Sequence, residues 1–410
     1  MSFRIALSGL NAAATDLSVT GNNIANASTT GFKESRAEFA DVYASSVLDR
    51  SATAAGQGAR VARIAQQFSQ GVVEFTSNNL DLAINGEGFF ALEDTNGSKI
   101  YTRAGAFSAD REGYVVNHAA QRLQVYPATT TASGATTFNV GVLTDLQLPT
   151  QPSPPQATEN LYAALNLDAQ QQPIDAAVLF DPLNDPASYN HSTSILIYDS
   201  LGNSHTATMY FRKIADNQWE GYVYVDEVQQ GGAIPIAFDE YGGLSTPAGG
   251  LAAPITFTPA GAAEMTLTLD FGDTTQFGGA FAVNSLGQDG FSSGRLSGVD
   301  IDADGIVFAR YTNGQSSAIG KVALAKFNNP QGLRQIGDTS WVETFPSGDA
   351  QLGEAGTSSF GAIQSGALEA STVDIAEQLV NLITAQRNFQ ANAQVITTAD
   401  AITQTVINLR

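Results

Sequence analysis

The stretch FRIALSGLNAAATDLSVTGNNI (residues 3–24) decides how the rest of the chain is read. Within it Phe3, Leu10, Leu17 and Ile24 stand seven apart, with Leu7 and Ala14 between them at offsets of four and three. Apolar residues at that period form one stripe of an α-helix, the seam of a coiled coil. The seam is expected to end near Gly21-Asn22-Asn23, where glycine and two short amide side chains favour a turn. The other end of the chain repeats the pattern. Leu368, Ile375, Leu382, Phe389 and Ile396 again stand seven apart, with Leu379 one turn beyond Ile375 and Val395, Ile402 and Leu409 on a neighbouring stripe. Ser371-Thr-Val-Asp374 supplies the N-cap region for this helix. Neither narrow stripe can be buried by its own helix, and short isolated helices are marginal in water. The two ends are therefore expected to pair and the pair to pack against further copies. Core-facing helices of a single globule would carry a similar stripe.

Proline marks out the rest. All 14 prolines lie between Pro127 and Pro346, so both ends are free to be helical. The middle reads as strands and turns. Ile195–Asp199 and His205–Phe211 flank Ser200-Leu-Gly-Asn203, a hairpin pattern. Trp219–Val225 and Met265–Asp270 alternate as strands, and Gln229–Ile234 reads as turn-rich. Leu148–Pro155 is too rich in proline for a central strand and reads as a boundary, with Gly272–Gly290 as the return crossing. The expected fold is multi-domain. Mainly β domains, sandwich- or barrel-like and one inserted into the other, accompany an α-helical coiled-coil terminal domain made by both ends.

The formal net charge of −21 is unevenly placed. Residues 123–294 hold 17 acidic side chains and only two basic ones, Arg212 and Lys213. Such a surface repels phosphate backbones and anionic lipid, so neither nucleic acid nor membrane insertion is expected. No segment is long and apolar enough to span a bilayer as a helix. The N-terminus lacks the pattern of a cleaved secretory signal. Without cysteine there is no disulfide and no thiolate chemistry.

Candidate chemistry is thin. Asp300-Ile-Asp-Ala-Asp-Gly305 resembles the start of a calcium loop, but its twelfth position is Tyr311 where a bidentate acid is required, so a turn is expected. His118, His191 and His205 show no metal-ligand or triad spacing. Gly86-Glu-Gly88 lacks the third glycine of a dinucleotide site. No two carboxylates stand out as an acid/base pair. Catalysis, cofactor and metal are not expected.

Three blocks carry a resemblance. Leu7–Ala14 with Gly21-Asn-Asn-Ile-Ala-Asn-Ala-Ser-Thr-Thr-Gly-Phe-Lys33 resembles the N-terminal signature of the flagellar rod and hook axial proteins, matched at Asn22, Asn23, Ile24, Asn26, Thr30, Gly31 and Phe32. Leu80–Phe90, Tyr101–Phe107 and Asp110–Tyr114 form a second block. Ser365–Glu369, Val373-Asp374 and Gln386–Ala393 form a third, with Thr372 where Asn is expected and Phe389 where Tyr is common. The long middle, with Tyr198–Asn203 and Phe327–Leu333, resembles the hook members rather than the shorter rod members.

The resemblance implies a structural subunit that polymerises into a curved hollow tube and acts as a universal joint between rod and filament. Its partners would be its own copies, the rod, the hook cap, the hook–filament junction proteins and the flagellar type III export apparatus. Its location would be extracellular, in the flagellum. The implied domains are 1–24 with 366–410 lining the channel, 25–70 as a stalk, 71–145 with 285–365 as the middle β domain, and 146–284 as an inserted outer β domain. A distal rod protein is the alternative within the class. A secreted β-rich adhesin or enzyme is the alternative outside it.

Overall fold

The proline-free ends form the two long helices of the structure, a computed structural model that describes residues 2–42, 56–130, 135–357 and 359–408. Helix α1 spans Ser2–Ala25 and helix α2 spans Ile375–Asn408. Leu409 and residues 43–55 of the expected stalk lie outside the described residues. Two expectations about these ends need correction. Helix α1 does not stop at Gly21-Asn22-Asn23 but runs through it, because the Asn23 side chain bonds to partners outside the helix instead of bending its own backbone. The chain turns after Asn26, whose amide donates back to the Asn22 carbonyl at 2.9 Å. Leu368 is not on the C-terminal helix. It sits in the short strand Ala367–Glu369, opposite Glu74, so the helical seam begins only after Asp374.

The chain divides into two compact units, one of residues 1–150, 298–310 and 316–410, the other of 151–297 and 311–315. In the first, strands Ser35–Asp41 and Ala59–Gln66 pair antiparallel beside α1. Its main sheet runs in the order Ser316–Lys326, Arg122–Thr130, Phe89–Glu93, Lys99–Thr102, Ser340–Val342, Arg334–Gly337, with Leu296–Ile301 and Ile306–Tyr311 continuing beyond Ser316–Lys326. An aromatic core of Phe89, Tyr101, Phe327 and Trp341 fills one face, joined by Phe68 and Leu333. Its rings meet edge to face at 4.8–5.9 Å, the arrangement their quadrupoles favour.

In the second unit a five-stranded antiparallel sheet (His191–Tyr198, Ser204–Ala215, Gln218–Val225, Val228–Phe238, Leu244–Thr246) shares one core with a four-stranded sheet (Ile255–Phe257, Met265–Asp270, Asn160–Asn166, Ala282–Gln288). The alternation of Met265-Thr-Leu-Thr-Leu269 places Met265, Leu267 and Leu269 in that core and the threonines outside it. The hairpin at Ser200–Asn203 forms as read, with Tyr198 opposite Ser204. Gln229–Ile234 is a correction, since it lies inside strand Val228–Phe238. The turn there is the two-residue Asp226-Glu227, both at positive φ as a type I′ hairpin requires. The return crossing also contains a strand, Ala282–Gln288, which pairs antiparallel with Asn160–Asn166.

Candidate self-assembly surface

Helices α1 and α2 pack antiparallel. Asn23 meets Gln378 near one end, and Gly9 lies against Asn392, so close that a Cβ on Gly9 would sit 2.5 Å from the Asn392 Oδ1. That approach is set by small residues. The buried line of α1 is Ala6, Ala13 and Thr20, joined by Val19 and Asn23; that of α2 is Gln378 and Ala385, with Asn392 half-buried seven further on. Both lines keep the seven-residue period, one stripe away from the larger residues singled out in the sequence. Leu10, Leu17, Ile24, Leu382, Phe389 and Ile396 flank this line half-buried. Leu368 is also half-buried, in its strand. Phe3, Leu7, Ile375 and Leu379 are exposed, as are Ile5, Val380, Ile383, Val395 and Ile402. A single chain thus buries Ala6, Ala13 and Ala385 of its helical pair, while Ala14 of the expected stripe is exposed and about half of the large apolar side chains remain in water. Small residues carry little weight in a hydrophobic pattern, which is why their line was missed.

Two features extend this surface. An open groove of about 780 Å³ lies along α2, lined by Phe3, Val395, Ala399 and Ile402 among others. By the register of Asn23 with Gln378 and Gly9 with Asn392, Ser2 falls opposite Ala399. Phe3 lines the groove together with Ile402, and Ala401–Thr405 and Ile407 in the last turns of α2 are exposed.

The pair is clasped to the β body through the segment after α1. Gly31 has a φ of 68°, and a Cβ there would meet the Ala104 nitrogen at 2.5 Å, so only glycine fits. Its N–H donates to the Glu369 carbonyl at 2.8 Å, Phe32 is buried, and the Thr372 N–H donates to the Phe32 carbonyl. Asn23 donates to the Ser35 carbonyl and the Gln378 Oε1 and accepts from the Ser35 N–H, while Gln378 donates onward to Glu34 at 2.9 Å. Asn26 receives the Thr29 hydroxyl, whereas Asn22 is exposed and Thr30 half-buried. The Asp374 carboxylate caps α2 by accepting from the Ala376 N–H at 2.7 Å. Thr372 instead accepts from the Glu34 N–H.

At the centre of the clasp Glu369 is fully buried between two cations. Lys33 Nζ donates to its Oε1 at 2.5 Å and Arg103 Nη1 to its Oε2 at 3.1 Å, and the Gly71 N–H adds a third bond. Lys33 also reaches the Ser69 carbonyl, and Arg103 that of Gly86. Burial pulls both cations below their ordinary pKa values, and the Glu369 carboxylate restores part of that loss. Lys33, Arg103 and Glu369 each stood within a motif in the sequence, but nothing in their spacing showed that they converge.

The remaining sequence candidates fall elsewhere. Asp302–Gly305 is a turn between two strands, with the Ile306 N–H bonded to Asp302 Oδ1 and Asp300 paired with Arg310. Among the described residues no three His, Asp or Glu side chains group as metal ligands. His118 lies 3.8 Å from Asp338, His191 stacks on Phe281, and His205 bridges Asp199 and Asp226.

Comparison with known proteins covers the chain almost end to end. Residues 3–33 match the description "Flagella basal body rod protein", 83–153 the "Flagellar hook protein FlgE/F/G D1 domain", 166–291 the "Flagellar basal body protein FlaE D2 domain", and 364–409 the "Flagellar basal body rod FlgEFG protein C-terminal". The flagellar hook proteins of Salmonella typhimurium and Escherichia coli are each 40% identical to it, over the whole of both chains. That of Borreliella burgdorferi is 33% identical over 98% of each. The fold is similar to a crystal structure of the Helicobacter pylori flagellar hook protein FlgE2, at 15% identity and a TM-score of 0.53, covering 72% of this chain and 100% of that one.

Proposed function

Since the chain belongs to the flagellar hook protein family and is a structural subunit of the hook, we propose that the outward faces of α1 and α2 are its polymerising device. The observation that carries this reading is the division of labour on the helices. Small and polar residues (Ala6, Ala13, Thr20, Asn23, Gln378 and Ala385, with Val19) close the pair within one chain, and Phe3, Leu7, Ile375, Leu379 and Ile383 remain for neighbouring copies. Burying one such side chain stabilises by about 1.5–3 kcal/mol, so the five together contribute roughly 8–15 kcal/mol toward the cost of immobilising a copy in the polymer. Half-buried Leu10, Leu17, Ile24, Leu382, Phe389 and Ile396 serve both levels.

In this reading the product is a curved hollow tube outside the cell, joined to rod and filament, and the protein catalyses nothing. The second unit supplies a weakly adhesive acidic surface that lets neighbouring copies slide as the tube bends. Its two central bases do not dilute that surface. Arg212 donates inward to the carbonyls of Asp175 and Val178, and Lys213 to those of Ala169 and Gln171.

Negative-stain images of concentrated wild-type protein are expected to show curved hollow tubes. Leu379→Asp charges only the outward face and is expected to abolish tubes while leaving the isolated subunit's helical circular dichroism unchanged. Leu382→Asp, at the flank of the intrachain seam, should lose both. Normal tubes from Leu379→Asp would refute the assignment.

A further inference from the structure

The segment Phe327-Asn-Asn-Pro-Gln-Gly-Leu333 has no role in the helical seam or the clasp, yet it is tied firmly to a second loop. Asn329 Nδ2 donates to the Pro346 carbonyl at 2.9 Å, and the Thr344 hydroxyl donates to the Gly332 carbonyl at 2.5 Å. Gly332 approaches that loop so closely that a Cβ would lie 2.5 Å from the Ser347 nitrogen and 2.6 Å from the Pro346 carbonyl carbon. Ser347 is buried at the loop's centre. Its hydroxyl accepts from the Thr344 N–H at 2.8 Å and donates to the Thr344 carbonyl at 2.7 Å. Glu343 at the loop's start accepts from the Tyr101 hydroxyl, which anchors it to the aromatic core.

The product of all this fixing is a single side chain held in water. Phe345 is fully exposed at the loop's tip, more so than any other large apolar residue described. Scattered exposed apolar residues are ordinary and need no explanation. A phenylalanine held wholly in solvent by a loop with its backbone pinned on both sides is different, because the backbone part of its ordering cost on binding is already met by the fold. That is the character of an interface anchor.

We propose that Phe345 is a knob that inserts into a second copy of this chain. The inference rests on the reading of the chain as a hook subunit, for a polymer surrounds every copy with identical neighbours at a local concentration no other partner matches. A projecting ring needs a concave counterpart on a different part of the surface. Such a contact is heterologous, the kind that propagates into open helical assemblies. It would lie on the first unit's β body and act in addition to the helical seam.

Full-length wild type, Phe345→Ala and Phe345→Leu would be polymerised with ammonium sulfate, and the critical concentration read by sedimentation. Loss of the ring is expected to raise the critical concentration about ten- to a hundredfold, with Phe345→Leu in between. The subunit's Tm should stay unchanged, because the side chain touches nothing in its own chain. In parallel, benzoylphenylalanine placed at 345 should photo-crosslink to another copy within the polymer. An unchanged critical concentration for Phe345→Ala, or a polymer that gives no intermolecular crosslink, overturns the knob and leaves the hook reading standing. Failure of the wild type to polymerise overturns both.

Discussion

Glu369 shows what one residue can hold in place. It receives Lys33, Arg103 and the Gly71 N–H in a site closed to water. Removing one partner of a buried ion pair leaves the others uncompensated, at a cost of about 3–5 kcal/mol. Glu369→Gln strands two cations and is expected to lose that much stability in urea unfolding of the subunit, more than Lys33→Met does. His205 gives a pH-dependent case. Burial pulls its pKa down, but hydrogen bonds to Asp226 and Asp199 outweigh this and raise it above the ordinary histidine value. Burial likewise disfavours the Asp199 carboxylate, yet hydrogen bonds from Asn203, His205 and Leu201 hold its pKa at about 2. The Asp226 carboxyl is lowered by its bond to His205. The histidine's contribution is complete below about pH 6.5 and fades as pH rises through its folded value; the carboxylates' is complete above about pH 4 and fades as pH falls. Thermal unfolding followed from pH 5 to 8 should show a decline in the wild type's second unit that is shallower in His205→Gln.

At the level of elements, the α1–α2 contact depends on side chains that are small. Ala385 is fully buried in the seam, and Ala385→Leu is expected to force the helices apart at a cost of about 1–3 kcal/mol, read as weakened helical circular dichroism on mild heating. This explains what was legible beforehand. The period of seven at both ends revealed two helices that pair, since any line of the stripe reports the period. Which line is innermost could not be read, because alanine and glutamine carry no hydrophobic signal while the leucines beside them do. The hairpin at Ser200–Asn203 was legible from its glycine and its flanking alternation. The Asp226-Glu227 turn was not, because neither residue advertises positive φ, and the Gln-Gln-Gly-Gly run beside it drew the turn into a strand. The cap at Asp374 could be placed to within a few residues, and the convergence of Lys33, Arg103 and Glu369 could not be seen at all, since they are joined only by tertiary folding.

For the whole molecule, charge sets the terms on which copies meet. The second unit's residues 151–297 hold 16 acidic side chains against three basic ones, two of which face inward. Like-charged neighbours repel over about 30 Å at 0.01 M salt and about 8 Å at 0.15 M. Polymerisation followed by light scattering should therefore begin at a lower protein concentration as salt rises. A variant with several of the exposed acids Glu227, Glu240 and Glu264 changed to Gln should lose most of that salt dependence.

The exposed final turns of α2 reach one step further. On the proposed reading, these turns form a ledge that the next copy would roof, bringing a ledge of its own. In the assembly proposed above, growth by such a joint would never be finished at the advancing tip, so the two extremities of the fibre would be unlike, each addition rebuilding the seat for its successor.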